Sequence, residues 1–188
     1  MLYRILSIII GIQFAIVSHA DNYTVDNRGN VIFDKTIENL PLSKDEIYKA
    51  AADYIENAYK DTRYNIVENN SEAGNITGEG ELINFHEQGG LVKSVLYSLK
   101  FYLRVDAKDG RARVRLIART YSLKTLSDVK SSASEDVIIS DCEPIGKVKN
   151  KGHKKAFEIL SAFAEKTINN VSEALKSATP AVSADDDW

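Results

Sequence analysis

The stretch SVLYSLKFYLRVDAKDGRARVRLIARTYSL, residues 94–123, decides the fold. Val95, Tyr97, Leu99, Phe101, Leu103 and Val105 alternate with Leu96, Ser98, Lys100, Tyr102, Arg104 and Asp106. After Asp109-Gly110 the chain returns as Ala112, Val114, Leu116, Ala118 and Thr120, alternating with Arg111, Arg113, Arg115, Ile117 and Arg119. Two runs of period-2 alternation about an Asp-Gly predict a β-hairpin. Inward residues are odd-numbered on the first strand and even-numbered on the second, so opposed residues have numbers that sum to an odd value. A two-residue loop sets Val105 against Val114, Leu103 against Leu116, Phe101 against Ala118 and Asp106 against Arg113. A four-residue loop keeps the parity and sets Asp106 against Arg111. A one-residue slip would turn every apolar side chain to water. One sheet face is thus oily and the other polar, the pattern of an antiparallel sheet covered on one side.

Outward from the hairpin, Val31, Phe33, Lys35 and Ile37 alternate with Ile32, Asp34 and Thr36, a first strand that Pro41 closes. Asp21 to Asn30 is polar and reads as loose. Ser43 and Glu46 form a capping box, with Leu42 and Ile47 at the staple positions. Ile47, Ala50, Ala51, Tyr54, Ile55 and Ala58 then recur at helical spacing, and Asp61 to Arg63 ends this helix. Tyr64–Glu68 and Gly74–Phe85 read as strands around a polar turn, and Gln88-Gly89-Gly90 as a loop into the hairpin. Gly78 and Gly80 leave bare backbone in the second of these strands. A bulky neighbour such as Tyr54 packing over them is one explanation, and close approach of a ligand is the other. Ser122 to Glu135 lacks periodicity and reads as an exposed excursion, followed by a short edge strand at Val137–Ile139. Phe157, Leu160, Ala164, Ile168, Val171 and Leu175 define a helix from about Lys154 to Ser177 that Pro180 stops.

The order is strand, helix, four strands, helix. Two apolar helix stripes and one apolar sheet face predict a two-layer α+β sandwich, an antiparallel sheet with both helices on one face. Met1–Ala20, with Arg4, a mostly apolar Ile5–Val17 and Ser18-His19-Ala20, has the layout of a secretory signal peptide. The expected organisation is therefore a signal peptide at 1–20, one domain at 21–178 and an acidic tail at 179–188. The chain of 188 residues has a formal net charge of −3, or −4 once Arg4 is removed with the leader. That balance gives no pull toward nucleic acid. After cleavage no membrane-spanning segment is expected. Cys142 is the only cysteine, so no intramolecular disulfide can form, and it reads as a small buried apolar residue.

Four pieces of the chain resemble a family of secreted bacterial proteins, mostly from Bacteroidetes. They are Val31-Ile32-Phe33, the Leu-Ser-Lys-Asp-Glu-Ile-Tyr helix start at 42–48, Gly74-Asn75-Ile76-Thr77-Gly78-Glu79-Gly80, and Tyr97-Ser98-Leu99-Lys100 running on to Lys108-Asp109-Gly110-Arg111. That family is a domain of unknown function with a TATA-binding-protein-like (TBP-like) fold. The resemblance, over Val31 to about Leu123, implies a TBP-like β-α-β(4)-α arrangement. It implies no activity and no catalytic residues.

Lys100, Tyr102, Arg104, Arg111, Arg113, Arg115 and Arg119 fall on the polar face of the hairpin and are the expected contact surface. They suit an anionic or glycan ligand, or a protein partner. The simpler explanation is a solvated face whose Arg stems cover Tyr102 and Ile117 and whose heads pair with Glu68, Glu79 or Glu81. His86 and His153 lack the paired spacing of a zinc site and read as surface residues. No phosphate loop, G-x-S-x-G or H-E-x-x-H occurs, so neither metal nor cofactor is expected. The leading expectation is a non-enzymatic binding module of the bacterial envelope, exported to the periplasm or beyond. One alternative is an enzyme with a site assembled from dispersed residues such as Glu79, Glu81 and His86. The other is a carrier of an apolar ligand, with a cavity behind Gly78 and Gly80.

Overall fold

The computed structural model describes residues 23–58, 65–89, 93–127, 134–142 and 150–180. Its elements are β1 (Tyr23–Val25), β2 (Val31–Ile37), α1 (Lys44–Ala58), β3 (Asn65–Asn70), β4 (Asn75–Gln88), β5 (Lys93–Lys108), β6 (Arg111–Ser127), β7 (Ser134–Ile138), a 3-10 turn (Ile139–Cys142) and α2 (Lys151–Ser177). The signal-peptide segment, the acidic tail and the side chain of Cys142 lie outside the described residues. So does the predicted end of α1 at Asp61–Arg63.

Hairpin β5–β6 closes on the two-residue Asp109-Gly110 loop. Val105 faces Val114, Leu103 faces Leu116, Phe101 faces Ala118 and Asp106 faces Arg113, as parity requires. Gly110 takes φ +73°, a conformation glycine adopts without a Cβ penalty. The turn is tied to the start of α1: Leu40 N–H donates to Gly110 O at 2.9 Å and Gly110 N–H to Leu42 O at 3.0 Å. The Asp109 carboxylate accepts from Lys44 N–H at 2.7 Å, satisfying a free donor of the helix's first turn. Ser43 and Glu46 form the capping box, with Ser43 N–H donating to Glu46 Oε2 at 2.8 Å.

All seven strands form one antiparallel sheet, in the order β1-β2-β6-β5-β4-β3, with β7 also on β6. Strand β6 pairs with β2 from Ala112 to Ala118 and with β7 from Thr120 to Lys124, so β2 and β7 share one of its edges end to end. Both helices cover the oily face. Leu99, Leu103, Val114 and Leu116 lie in one core with Ile47, Ala51 and Ile55 of α1 and Leu160, Ala164, Val171 and Leu175 of α2. This is the two-layer α+β sandwich the patterning predicts.

Four expectations are corrected. Tyr23–Val25 is a strand rather than a loose end. Its ring at Tyr23 lies 5.8 Å from Phe33 and 5.0 Å from Phe157, tertiary contacts that no three-residue pattern announces. Ser122–Ser127 and Ser134–Glu135 belong to β6 and β7 rather than to an excursion. Helix α2 begins at Lys151, capped by Asn150 Oδ1, which accepts from Gly152 N–H at 2.9 Å. The alternation of β6 breaks at a bulge. Leu99 faces Tyr121 while Phe101 faces Ala118, leaving two residues of β6 against one of β5. Beyond it the inward residue is the fully buried Tyr121, not Thr120, and Arg119 sits in the bulge.

The bare backbone at Gly80 has a partner other than Tyr54. Its cross-strand neighbour is Phe101, whose ring lies where a Cβ at position 80 would project. Phe163 of α2 meets that ring edge-on at 5.1 Å. The space over Gly80, where a carrier would keep a cavity, is filled by this ring.

Candidate functional site

The outer face of the sheet is built by alternation. Register sets Asp34, Arg115, Arg104, Thr77 and Glu68 in one row across β2, β6, β5, β4 and β3. The next row is Thr36, Arg113, Asp106, Asn75 and Asn70. Arg104 and Arg115 are directly opposed like charges, which would repel. Asp106 resolves this by accepting from Arg104 Nε at 2.8 Å and from Arg115 Nη2. Arg104 Nη1 also donates to Glu68 Oε2 at 2.7 Å. Arg113, which register places opposite Asp106, turns to Asp34 instead, donating through both Nε and Nη2. Lys100 pairs with Glu79 at 3.4 Å rather than with Glu81, its neighbour in register. The Tyr102 phenol is held above its ordinary pKa, chiefly by its hydrogen bond to Glu79.

The expected contact residues thus divide. Lys100, Arg104, Arg113 and Arg115 are each tied to a carboxylate. Arg111 and Arg119 have no ion-pair partner among the described residues, and the bulge separates Arg119 from the ladder. A groove of about 470 Å³ opens at the turn end of the face, lined by Thr36, Ala73, Asp106, Ala107, Lys108, Arg111, Ala112, Arg113 and Arg115. Four cations meet one carboxylate there, and that carboxylate is occupied by Arg104 and Arg115. Lys108 is the residue the sequence reading passes over. Hairpin parity alone puts it on the outer face directly opposite Arg111, so the signal was available.

The residues of the enzyme alternative do not converge. Glu79 and Glu81 lie on the outer face, whereas His86 packs on the buried Tyr97, ring centroids 5.1 Å apart. Neither imidazole is the surface residue expected of it. Both are half-buried, and His153 meets the same Tyr97 edge-on at 5.7 Å. The Tyr97 hydroxyl donates to Gln88 Oε1 at 3.2 Å and lies 3.4 Å from His153 Nδ1. Desolvation lowers the pKa of His153, with Glu135 acting in the opposite sense. Gly152 is needed here because a Cβ would strike Gln88 and the Tyr97 hydroxyl. Among the described residues no group of three or more His, Cys, Asp or Glu is placed to hold a metal ion. No helix there is long and apolar enough to cross a membrane.

One antiparallel sheet roofed on a single face by two helices defines an α+β protein of the TBP-like class. Residues 33–122 match the family described as a domain of unknown function (DUF4468) with TBP-like fold. No curated protein matches the sequence. A crystal structure of a TBP-like protein from Parabacteroides distasonis superposes with TM-score 0.62 at 16% identity, covering 82% of this chain and 97% of that one. A DUF4468 family protein from Bacteroides ovatus superposes with TM-score 0.58 at 20% identity, covering 80% of this chain and 88% of that one. At such identities the likeness shows the fold.

Proposed function

We propose that the protein is a non-enzymatic binding module of the bacterial cell envelope whose outer sheet face takes an anionic ligand. The observation that carries this is the groove at the turn end, where Lys108, Arg111, Arg113 and Arg115 surround a single, already engaged carboxylate. A chain of net charge −3 gathers cations there against its own average. Guanidinium groups held by carboxylates are pre-oriented, so less side-chain entropy is lost when a ligand arrives. The Bacteroidetes neighbours and the amino-terminal pattern together support an exported bacterial protein. Amino-terminal sequencing of the exported form should start at or near Asp21; a start at Met1 would overturn export with cleavage.

The binding test is native electrophoresis through gels containing polygalacturonate or dextran sulfate, with neutral dextran as control. The wild-type chain should be retarded by the anionic polymers alone. Arg113→Ser with Arg115→Ser should weaken that retardation about tenfold or more, because two positive charges are taken from the face. Thermal melting by circular dichroism checks that this variant is folded. Equal retardation of a folded variant, or none of the wild type, would remove the outer face as the contact surface.

A further inference from the structure

Lys108 and Arg111 are directly opposed across the ladder, the last pair before the turn. Opposed side chains have Cβ atoms about 5 Å apart, so two cations there repel. Elsewhere on this face the same conflict is resolved internally, as Asp106 does between Arg104 and Arg115. Here it is not. Asp109, the nearest acid in the chain, turns away to cap Lys44 N–H. Asp34 is taken by Arg113, and Asp106 by its two arginines. Neither Lys108 nor Arg111 has an ion-pair partner among the described residues, both are exposed, and both line the groove. Two strands hydrogen-bonded on either side of a two-residue turn fix the Cβ positions of both residues, while their long stems leave the charged heads free to close on a ligand.

We infer that Lys108 and Arg111 form a clamp for one oxyanion group, a phosphate, sulfate or carboxylate carried by the ligand of the outer face. An oxyanion seated between them replaces a like-charge contact with two charge-assisted hydrogen bonds, and a guanidinium can offer two parallel N–H donors to it. Arg113, two residues along the same strand face and about 7 Å away, adds positive potential without leaving Asp34. The inference rests on the outer-face reading above and gives that ligand its charged group.

The test is melting of the full chain at constant ionic strength, with chloride exchanged for inorganic phosphate, sulfate or acetate, for wild type and Arg111→Glu. Phosphate and sulfate also stabilise proteins by exclusion from their surface, so the readout is the difference between the two chains. At phosphate about tenfold above its dissociation constant, linkage raises the wild-type Tm by about 3–6 °C more than it raises that of Arg111→Glu. In chloride, Arg111→Glu should melt at or above the wild-type temperature, because Lys108 then faces an opposite charge. The three anions separate phosphate or sulfate ligands from carboxylate ones. Equal rises in both chains, or none, would overturn the clamp. So would a lower Tm for Arg111→Glu than for wild type in chloride, which would mean that Arg111 holds structure rather than a ligand. If retardation by anionic polymers still depends on Arg113 and Arg115 while these rises match, the clamp fails and the outer-face reading stands.

Discussion

The β5–β6 ladder has two halves that differ in kind, and they meet at Leu99. Toward the turn, Leu103, Val105, Val114 and Leu116 are buried in one aliphatic core with residues of both helices. Away from the turn, the buried residues are Tyr97 and Tyr121, ringed by Phe85, His86, His153 and Gln88. Both neighbours of β5 lose register at this level. Strand β4 spends three residues between Leu82 and His86 against one of β5, with Asn84 at φ +49°, and β6 spends two between Ala118 and Tyr121. The aliphatic half needs only shape, so alternation suffices to specify it. The aromatic half also buries hydroxyls and imidazoles, of which His86 Nε2 has no hydrogen-bond partner among the described residues, and the register shifts fall where that half begins.

The junction carries the largest expected effect. Phe101→Ala removes the ring that covers Gly80 and meets Phe163, and should cost about 3–5 kcal/mol in urea unfolding. Gly80→Ala in the wild-type chain forces the ring aside and should cost about 1–3 kcal/mol. In the Phe101→Ala background the same change should be nearly free, since the colliding atoms are gone. Strictly additive costs would mean that the ring does not occupy the space over Gly80, and the junction would lose its special status.

On the outer face the two halves differ in how their acids are used. Asp106 is three-quarters covered and holds two opposed arginines, its side chain 27% exposed. Asp136 on β7 accepts from Ser122 at the exposed edge. Asp106→Ala leaves Arg104 against Arg115 and should cost about 2 kcal/mol, whereas Asp136→Ala should stay within about 0.5 kcal/mol. Chemical denaturation of the two variants side by side measures the contrast. Equal costs would show that the Glu68–Arg104–Asp106–Arg115 chain acts as ordinary surface charge.

The same division explains what could be read in advance. Hairpin register, the capping box, the α2 stripe and the covered face all follow from residues close in sequence, and each is present. The break at Leu99 does not, because Arg119-Thr120 continues the alternation perfectly and nothing local marks the extra residue. Strand β7 and the far end of β6 are specified by each other. Their outward residues, Ser122 and Lys124 against Asp136 and Ser134, face water, and the inward alternation is short, Tyr121 and Leu123 on β6 and Val137 on β7. The contact surface was legible as a face but not as a site. Parity assigns Arg111, Arg113 and Arg115 to one side, whereas which of them is engaged depends on Asp34 and Asp106 choosing partners that register alone does not select. His86 and His153 were misplaced for a related reason. They lie 67 positions apart in the chain and meet only because both pack on Tyr97.

That meeting makes the aromatic half sensitive to acid where the aliphatic half is not. Burial lowers the pKa of His153 in the folded chain, while in the unfolded chain it titrates near about 6.5. As pH falls through that value the unfolded chain takes up a proton that the folded chain still refuses. The unfolded state then binds more protons, and stability declines with falling pH until the folded imidazole also titrates. The charge of Glu135 acts in the opposite sense and narrows the window. His153→Gln keeps a polar group beside the Tyr97 hydroxyl and removes the titration. Its Tm should fall less steeply than wild type as pH drops below about 6.5. Leu103→Ala, in the aliphatic half, should lower Tm without changing that slope. Parallel pH profiles for wild type and His153→Gln would show that the imidazole is hydrated despite its packing, and the two halves would then differ in shape but not in electrostatics.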